Sequence, residues 1–206
     1  VEVWKNNNLI GCSSTAYAKN TVGSKTAIMT IKTYKLENTK ALSAADVGFN
    51  KAFNNNITNL NGSSSLMQLQ SFYSYDNKGL IKQQGKINDI PTSYIWDYNN
   101  TLPIAIVSNA APEDIAYTSF EADGAGNWTI GSNDRNTATS VTGNKSYDLS
   151  KGNITKTGLS SSKTYWINYW AKTDASISVT NTVQTIQSST KNGYTFWKKK
   201  ITGTTS

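Results

Sequence analysis

Ser71-Phe72-Tyr73-Ser74-Tyr75-Asp76-Asn77-Lys78-Gly79-Leu80-Ile81 reads as a strand, a tight turn and the start of a returning strand. Tyr73 and Tyr75 share one face by the strand period of two. Asp76 can close an Asx-type turn on the backbone two residues on, and Gly79 can take φ > 0 where the chain reverses. The layout returns about 21 residues later in Tyr94-Ile95-Trp96-Asp97-Tyr98-Asn99-Asn100-Thr101-Leu102, the kind of short period that marks a repeat. Tyr73 maps to Tyr94, Tyr75 to Trp96, Asp76 to Asp97 and Gly79 to Asn100, with Leu80 matching Leu102 after a one-residue slip. Asn is the usual substitute for Gly at a left-handed position. The correspondence predicts that Tyr73, Tyr75, Tyr94 and Trp96 lie on adjacent strands, stacked along one sheet. Such aromatic pairs contribute roughly 0.5–1.5 kcal/mol each beyond burial. Val1 to Ile10 looks like a degenerate copy, with Trp4 at the aromatic position and Lys5 in place of Asp.

Outward from this unit the same polar, turn-rich character continues. The 206 residues carry 11% aromatic and 16% charged residues, and Asn, Ser and Thr fill much of the rest. That is β material with polar turns, because Asn, Ser and Thr compete with a helical backbone for hydrogen bonds. Residues 11–26 are small and polar and read as a loop. Ala27 to Glu37 is β-rich. Met29 and Ile31 share one face and Tyr34 and Leu36 the other, which indicates a bulge or two short strands. Ser43-Ala44-Ala45-Asp46 resembles a capping box, so a helical turn or two through Phe53 is expected. Leu66 to Tyr75 is a long strand, and Pro103 to Val107 a short apolar one. Ser108 to Pro112 breaks the pattern and divides residues 1–110 from 111–206.

Beyond the break, short strands are expected at 116–120, 127–130, 139–141, 145–149, 154–156, 164–171, 176–180, 184–187 and 195–201. This pitch, with turn signals between, indicates a β-sandwich and specifically a jelly roll.

Composition also excludes chemistry. His is absent and Cys12 is the only cysteine. The chain therefore contains no Ser-His-Asp or Cys-His mechanism and no internal disulfide. Cys12 reads as buried filler. Net charge is +7, but one Arg and scattered Lys argue against nucleic acid as the partner. The one tight run, Lys198-Lys199-Lys200, reads as solvated basic surface. No apolar run reaches transmembrane length. Carboxylate pairs can run glycoside hydrolysis, yet Asp76 and Asp97 are accounted for by turns. The chain is expected not to be an enzyme.

The paired Tyr-x-Tyr-Asp and Tyr-x-Trp-Asp units resemble the YD repeat of Rhs-type proteins, most closely the form found in large secreted or cell-surface proteins of Bacteroidetes. Asp114 to Gly124, running on to Asn127-Trp128, resembles the segment after the repeats in those proteins. The resemblance implies a non-catalytic structural or adhesive segment of a larger secreted parent chain. It leaves two alternatives open, a glycan-binding module and the shell portion of a polymorphic toxin.

Residues 111–206 resemble jelly-roll modules related to carbohydrate-binding domains. The likeness is carried by Ser119-Phe120-Glu121, Trp128, Gly143 to Tyr147, Leu149 and Tyr165 to Lys172. A final strand with an acidic pair is expected after Gly203 and is missing, so the sandwich is expected to lack its last strand.

The second half holds two candidate sites. On the strand from Tyr165, the residues Trp166, Asn168, Trp170 and Lys172 point one way, while Tyr165, Ile167, Tyr169 and Ala171 point into the core. Flat indoles stack on pyranose faces, and Asn and Lys bond hydroxyls, so the first set is the candidate glycan platform. The alternative is that both indoles pack inside the protein. Glu121 and Asp123 are the candidate pair for a structural Ca²⁺, as the resemblance implies. Plain surface carboxylates are the alternative, and no other cofactor is expected.

Overall fold

The computed structural model describes residues 2–6, 8–22, 25–36, 42–43, 66–172 and 177–203. These residues are nearly all β, with antiparallel sheets. Of the helical turn expected from Ser43 to Phe53, only Ser43 is described, in a strand; residues 44–53 lie outside the described residues. The chain divides into two compact units, Val1–Tyr94 with Val107–Ala110, and Ile95–Ile106 with Ala111–Ser206. The division after Ala110 falls inside the break read at Ser108 to Pro112. The hairpin end Ile95–Ile106, however, groups with the second unit.

In chain order the strands are β1 (Glu2–Lys5), β2 (Asn8–Val22), β3 (Lys25–Leu36), β4 (Leu42–Ser43), β5 (Leu66–Tyr75), β6 (Ile81–Lys86), β7 (Thr92–Asp97) and β8 (Leu102–Ser108). They form one sheet in the order β1-β2-β3-β5-β6-β7-β8, with β4 on β2. The loop expected at 11–26 is instead most of β2 and the start of β3. Hydrophobicity hid the strand because its inward residues are small. Cys12 and Ala16 are buried, and Thr15, Tyr17, Lys19 and Thr21 face out in strict alternation. The ladder to β3 supplies what apolar bulk does not.

A bulge, not a break, explains the change of face in β3. Ala16 pairs with Lys32 and Tyr17 with Thr30, which leaves Ile31 as the extra residue.

The tyrosine units occupy β5 and β7, with β6 between them. Tyr73 and Tyr75 are therefore not on a strand adjacent to Tyr94 and Trp96, contrary to the repeat expectation. A unit made of a strand and its return advances two strands per copy, so equivalent strands must be every second one. Glutamines of β6 fill the gap. Gln70 donates to Gln84 Oε1 at 2.8 Å, and Gln84 donates to the Tyr94 hydroxyl at 2.6 Å. The small residues Ser71, Gly85 and Ser93 are buried. Ser93 donates to the Ala110 carbonyl at 2.6 Å.

The turn chemistry follows the expectation at the first copy. Asp76 Oδ1 accepts the N–H groups of Lys78 and Leu80, both at 2.8 Å, and Gly79 has φ 86°. At the second copy Asn100 is left-handed at φ 64°, as expected of the Gly79 equivalent. Asp97 Oδ1 there accepts from Tyr98, one residue on, and Tyr98 and Asn99 are left-handed as well. Asn6, Asn88, Asn109, Asn127, Asn181 and Asn192 also have positive φ. At these positions Asn serves the turn chemistry, since it tolerates this region better than other side chains bearing a Cβ.

In the second unit, β9 (Thr129–Ile130) pairs with β10 (Ile154–Thr155). β11 (Thr164–Ala171), β12 (Thr182–Lys191) and β13 (Tyr194–Thr202) form a sheet in the order β11-β13-β12. Of the remaining expected strands, 116–120, 139–141 and 145–149 are not strands; one bridge, Asn136 to Ser146, touches the last of these. The segment expected at 176–180 is irregular over its described residues 177–180, and β12 begins after it. Side chains and backbone closures organise these stretches instead. Tyr117 and Gly126 are joined through a backbone hydrogen bond of 2.8 Å. Phe120 and Tyr147 stack with centroids 5.7 Å apart, and the Arg135 guanidinium lies 5.7 Å from the Phe120 centroid.

Asp114 ties a short 3-10 turn, Pro112–Asp114, to the start of β11. Its carboxylate accepts from Lys163 Nζ at 2.7 Å and from the Tyr165 hydroxyl at 2.9 Å. The Lys163 ammonium holds the Asp114 carboxyl below its ordinary value; partial burial opposes this and the Tyr165 hydroxyl adds to it. A carboxylate whose folded pKa is depressed stabilises the fold above the unfolded value, about 3.9, and that contribution is lost as pH falls through the folded pKa. Asp114→Asn is therefore expected to shrink the fall in melting temperature between neutral pH and pH ~2–3. Identical acid limbs for the two proteins would contradict this.

Candidate functional site

Strand alternation sorts β11, β13 and β12 into two faces, and the register fixes who meets whom. On the inner face Tyr165 lies opposite Ile201, Ile167 opposite Lys199, Tyr169 opposite Trp197 and Ala171 opposite Thr195. Ala171, Thr195, Trp197 and Ile201 are buried, with Trp197 only 7% exposed. This is the core read from Tyr165, Ile167, Tyr169 and Ala171.

The three lysines do not form one solvated surface. Lys199 is 5% exposed, and its Nζ donates to the Ile177 carbonyl. Alternation turns the middle lysine of any such run inward. A buried ammonium is costly unless it finds acceptors, and the Ile177 carbonyl is one.

On the outer face Trp166 lies opposite Lys200, Asn168 opposite Lys198 and Trp170 opposite Phe196. On the far side of β13, Gln184 meets Lys200 and Ile186 meets Lys198. Each row thus runs across all three strands, Trp166-Lys200-Gln184 and Asn168-Lys198-Ile186. Trp166 is 51% exposed, and Asn168, Lys198 and Gln184 are exposed. Trp170 differs. It is half-buried, and its ring lies 4.9 Å from that of Phe196 at 38°. Its indole is partly spent on packing, while that of Trp166 is presented. Lys172 is exposed in the bend after β11.

Lys198 and Lys200 are the residues that sequence reasoning missed. The strand 195–201 is expected from the sequence, and its parity separates Lys198 and Lys200 from Lys199. Only the cross-strand register brings them opposite Asn168 and Trp166. Lys198 Nζ also lies 5.7 Å from the Phe196 centroid, so the aromatic pair at the end of the face supports a cation.

Glu121 and Asp123 are arranged differently from each other. Glu121 Oε1 accepts the N–H groups of Asn144 and Lys145 at 2.8 and 2.6 Å, and Lys145 Nζ donates to the Glu121 carbonyl at 2.9 Å. Asp123 is exposed. Among the described residues no three His, Cys, Asp or Glu side chains gather as a metal-holding group. Ca²⁺ takes six to eight oxygens, and Oε1 of Glu121 already serves the turn at 143–145. Glu121→Ala is expected to cost about 1.5–3 kcal/mol in denaturant unfolding without added calcium, from two hydrogen bonds to a charged acceptor. An unchanged midpoint would show that the turn holds without it.

Among the described residues no helix is long and apolar enough to cross a membrane. No protein-family model, curated protein or solved structure matches the chain.

Proposed function

We propose that the chain is a non-catalytic, adhesive segment of a larger secreted cell-surface protein, and that it contacts saccharide through the outer face of β11, β13 and β12. The observation that carries this reading is Trp166, a large aromatic left half exposed on a regular strand, flanked by hydrogen-bonding side chains. An indole face and a sugar's C–H face are matched apolar surfaces, and Asn168, Lys198 and Lys200 supply donors around them. Trp170, opposite Phe196, borders the platform and is not its second ring. The sheet of the first unit is the structural part. The paired turns, one closed by the Asp76 side chain and with left-handed Gly79, the other with left-handed Asn100, support the likeness to YD repeats of Rhs-type surface proteins.

The test is a screen of immobilised polysaccharides with the 206-residue chain. At least one polysaccharide is expected to retain the wild type, and Trp166→Ala is expected to lose about tenfold or more in affinity, the loss that corresponds to ~1.4 kcal/mol. Retention unaffected by Trp166→Ala would move the contact elsewhere. Retention by no polysaccharide would remove the saccharide reading.

A further inference from the structure

Resting on that reading of the outer face, we infer that its ligand is an acidic saccharide, one bearing carboxylate or sulfate groups. The charge of the face is one-sided. Lys200 stands directly opposite Trp166, and Lys198 stands opposite Asn168. None of the three strands contains an Asp or Glu: they read TYWINYWA, TVQTIQSSTK and YTFWKKKIT. Among the described residues the ion pair is Lys163 with Asp114, so neither Lys198 nor Lys200 is neutralised by a carboxylate there.

The geometry suits a ring and an anion together. Facing strands are about 4.8 Å apart, which puts the Lys200 stem beside the Trp166 indole. Lys198 and Lys200 are two residues apart on one face, about 6.6 Å along the strand. A sugar ring stacked on Trp166 thus brings its ring substituents within reach of the Lys200 ammonium. The next unit along a chain meets Lys198. A neutral sugar would strip water from two ammonium groups and offer only hydroxyls in return, which discriminates against it. Lysine is a compact point charge on a flexible stem, so the face reads the presence of an anion more than its shape.

The experiment is affinity electrophoresis of the 206-residue chain through gels containing polygalacturonate, chondroitin sulfate or dextran, with single-stranded DNA as a non-sugar polyanion. Retardation by an acidic polysaccharide and not by dextran is expected, weakening as salt is raised because exposed charges are screened. Lys198→Gln with Lys200→Gln should cut that retardation by about tenfold or more, Lys198→Arg with Lys200→Arg should keep it, and Trp166→Ala should abolish it. Circular dichroism of each variant confirms the fold. Equal retardation by dextran and by acidic polysaccharide, indifferent to both lysine changes, would overturn the anion preference and leave the platform reading standing. Retardation by DNA as strong as by any saccharide, or persisting in Trp166→Ala, would overturn the inference in favour of plain charge attraction. No retardation by any of the polysaccharides would remove platform and inference together.

Discussion

Trp197→Ala lowers the unfolding free energy by about 3–5 kcal/mol, the range for emptying a buried large aromatic site. Trp197 is 7% exposed on the middle strand of its sheet, between Tyr169 on one side and Gln187 on the other. Truncation leaves a cavity on the inner face of the sheet, beside Tyr169. Trp166→Ala, on the opposite face and 51% exposed, is expected to cost no more than about half as much, since burial energy scales with the area removed from water. The Trp197 indole N–H finds no hydrogen-bond partner among the described residues. Trp197→Phe should therefore cost less than its lost volume suggests, because it also removes an unpaired buried donor. Urea midpoints of the three variants order them. A Trp166→Ala protein less stable than Trp197→Ala would reverse the assignment of inner and outer face.

Gly126→Ala is expected to cost more than about 4 kcal/mol, the size reserved for a few named mechanisms. Gly126 has φ 57°, and a Cβ there would lie 1.5 Å from the Tyr117 carbonyl oxygen. The two residues are also joined by the backbone hydrogen bond from Tyr117 to Gly126. Nothing in that closure is a movable side-chain tip, so the backbone pairing itself must open. Gly158 is the control. Its φ is 75°, yet nothing lies within 4 Å of the corresponding Cβ. Gly158→Ala should show only the left-handed penalty of roughly 1–2 kcal/mol. Similar losses at the two sites would mean that conformation, not contact, requires Gly126.

These two positions mark what local sequence can and cannot carry. Turn positions were legible. Asp76 with Gly79, and Asn100, announce reversals, and Gly79 and Asn100 have the left-handed backbone their residue types permit. The strand pattern of β11 was legible because its large residues alternate in character. β2 was not, because its buried side is Cys12, Ser14, Ala16 and Ala18, residues equally at home in a loop. The stretch from Ile115 to Trp128 has strand-like composition, but the closure between Tyr117 and Gly126 takes its backbone groups elsewhere.

The candidate face was half legible. Trp166 and Asn168 follow from the parity of one strand. Lys198 and Lys200 enter only through a register set by pairing between segments about 30 residues apart in the chain. The adjacency expected of Tyr75 and Trp96 failed for a related reason: a repeat period gives the spacing of units, and the intervening return strand decides which units touch.

On the proposed reading, the outer face of β11, β13 and β12, centred on Trp166, is where this protein meets its ligand. The most direct measurement is the indole N–H region of a ¹H–¹⁵N correlation spectrum during titration with an oligogalacturonate. The chain has six tryptophans, and single Trp→Phe variants assign their signals. The Trp166 signal is expected to move with saturation while that of Trp197 stays in place. Bound oligosaccharide that shifts other indoles and leaves Trp166 unmoved would contradict that reading.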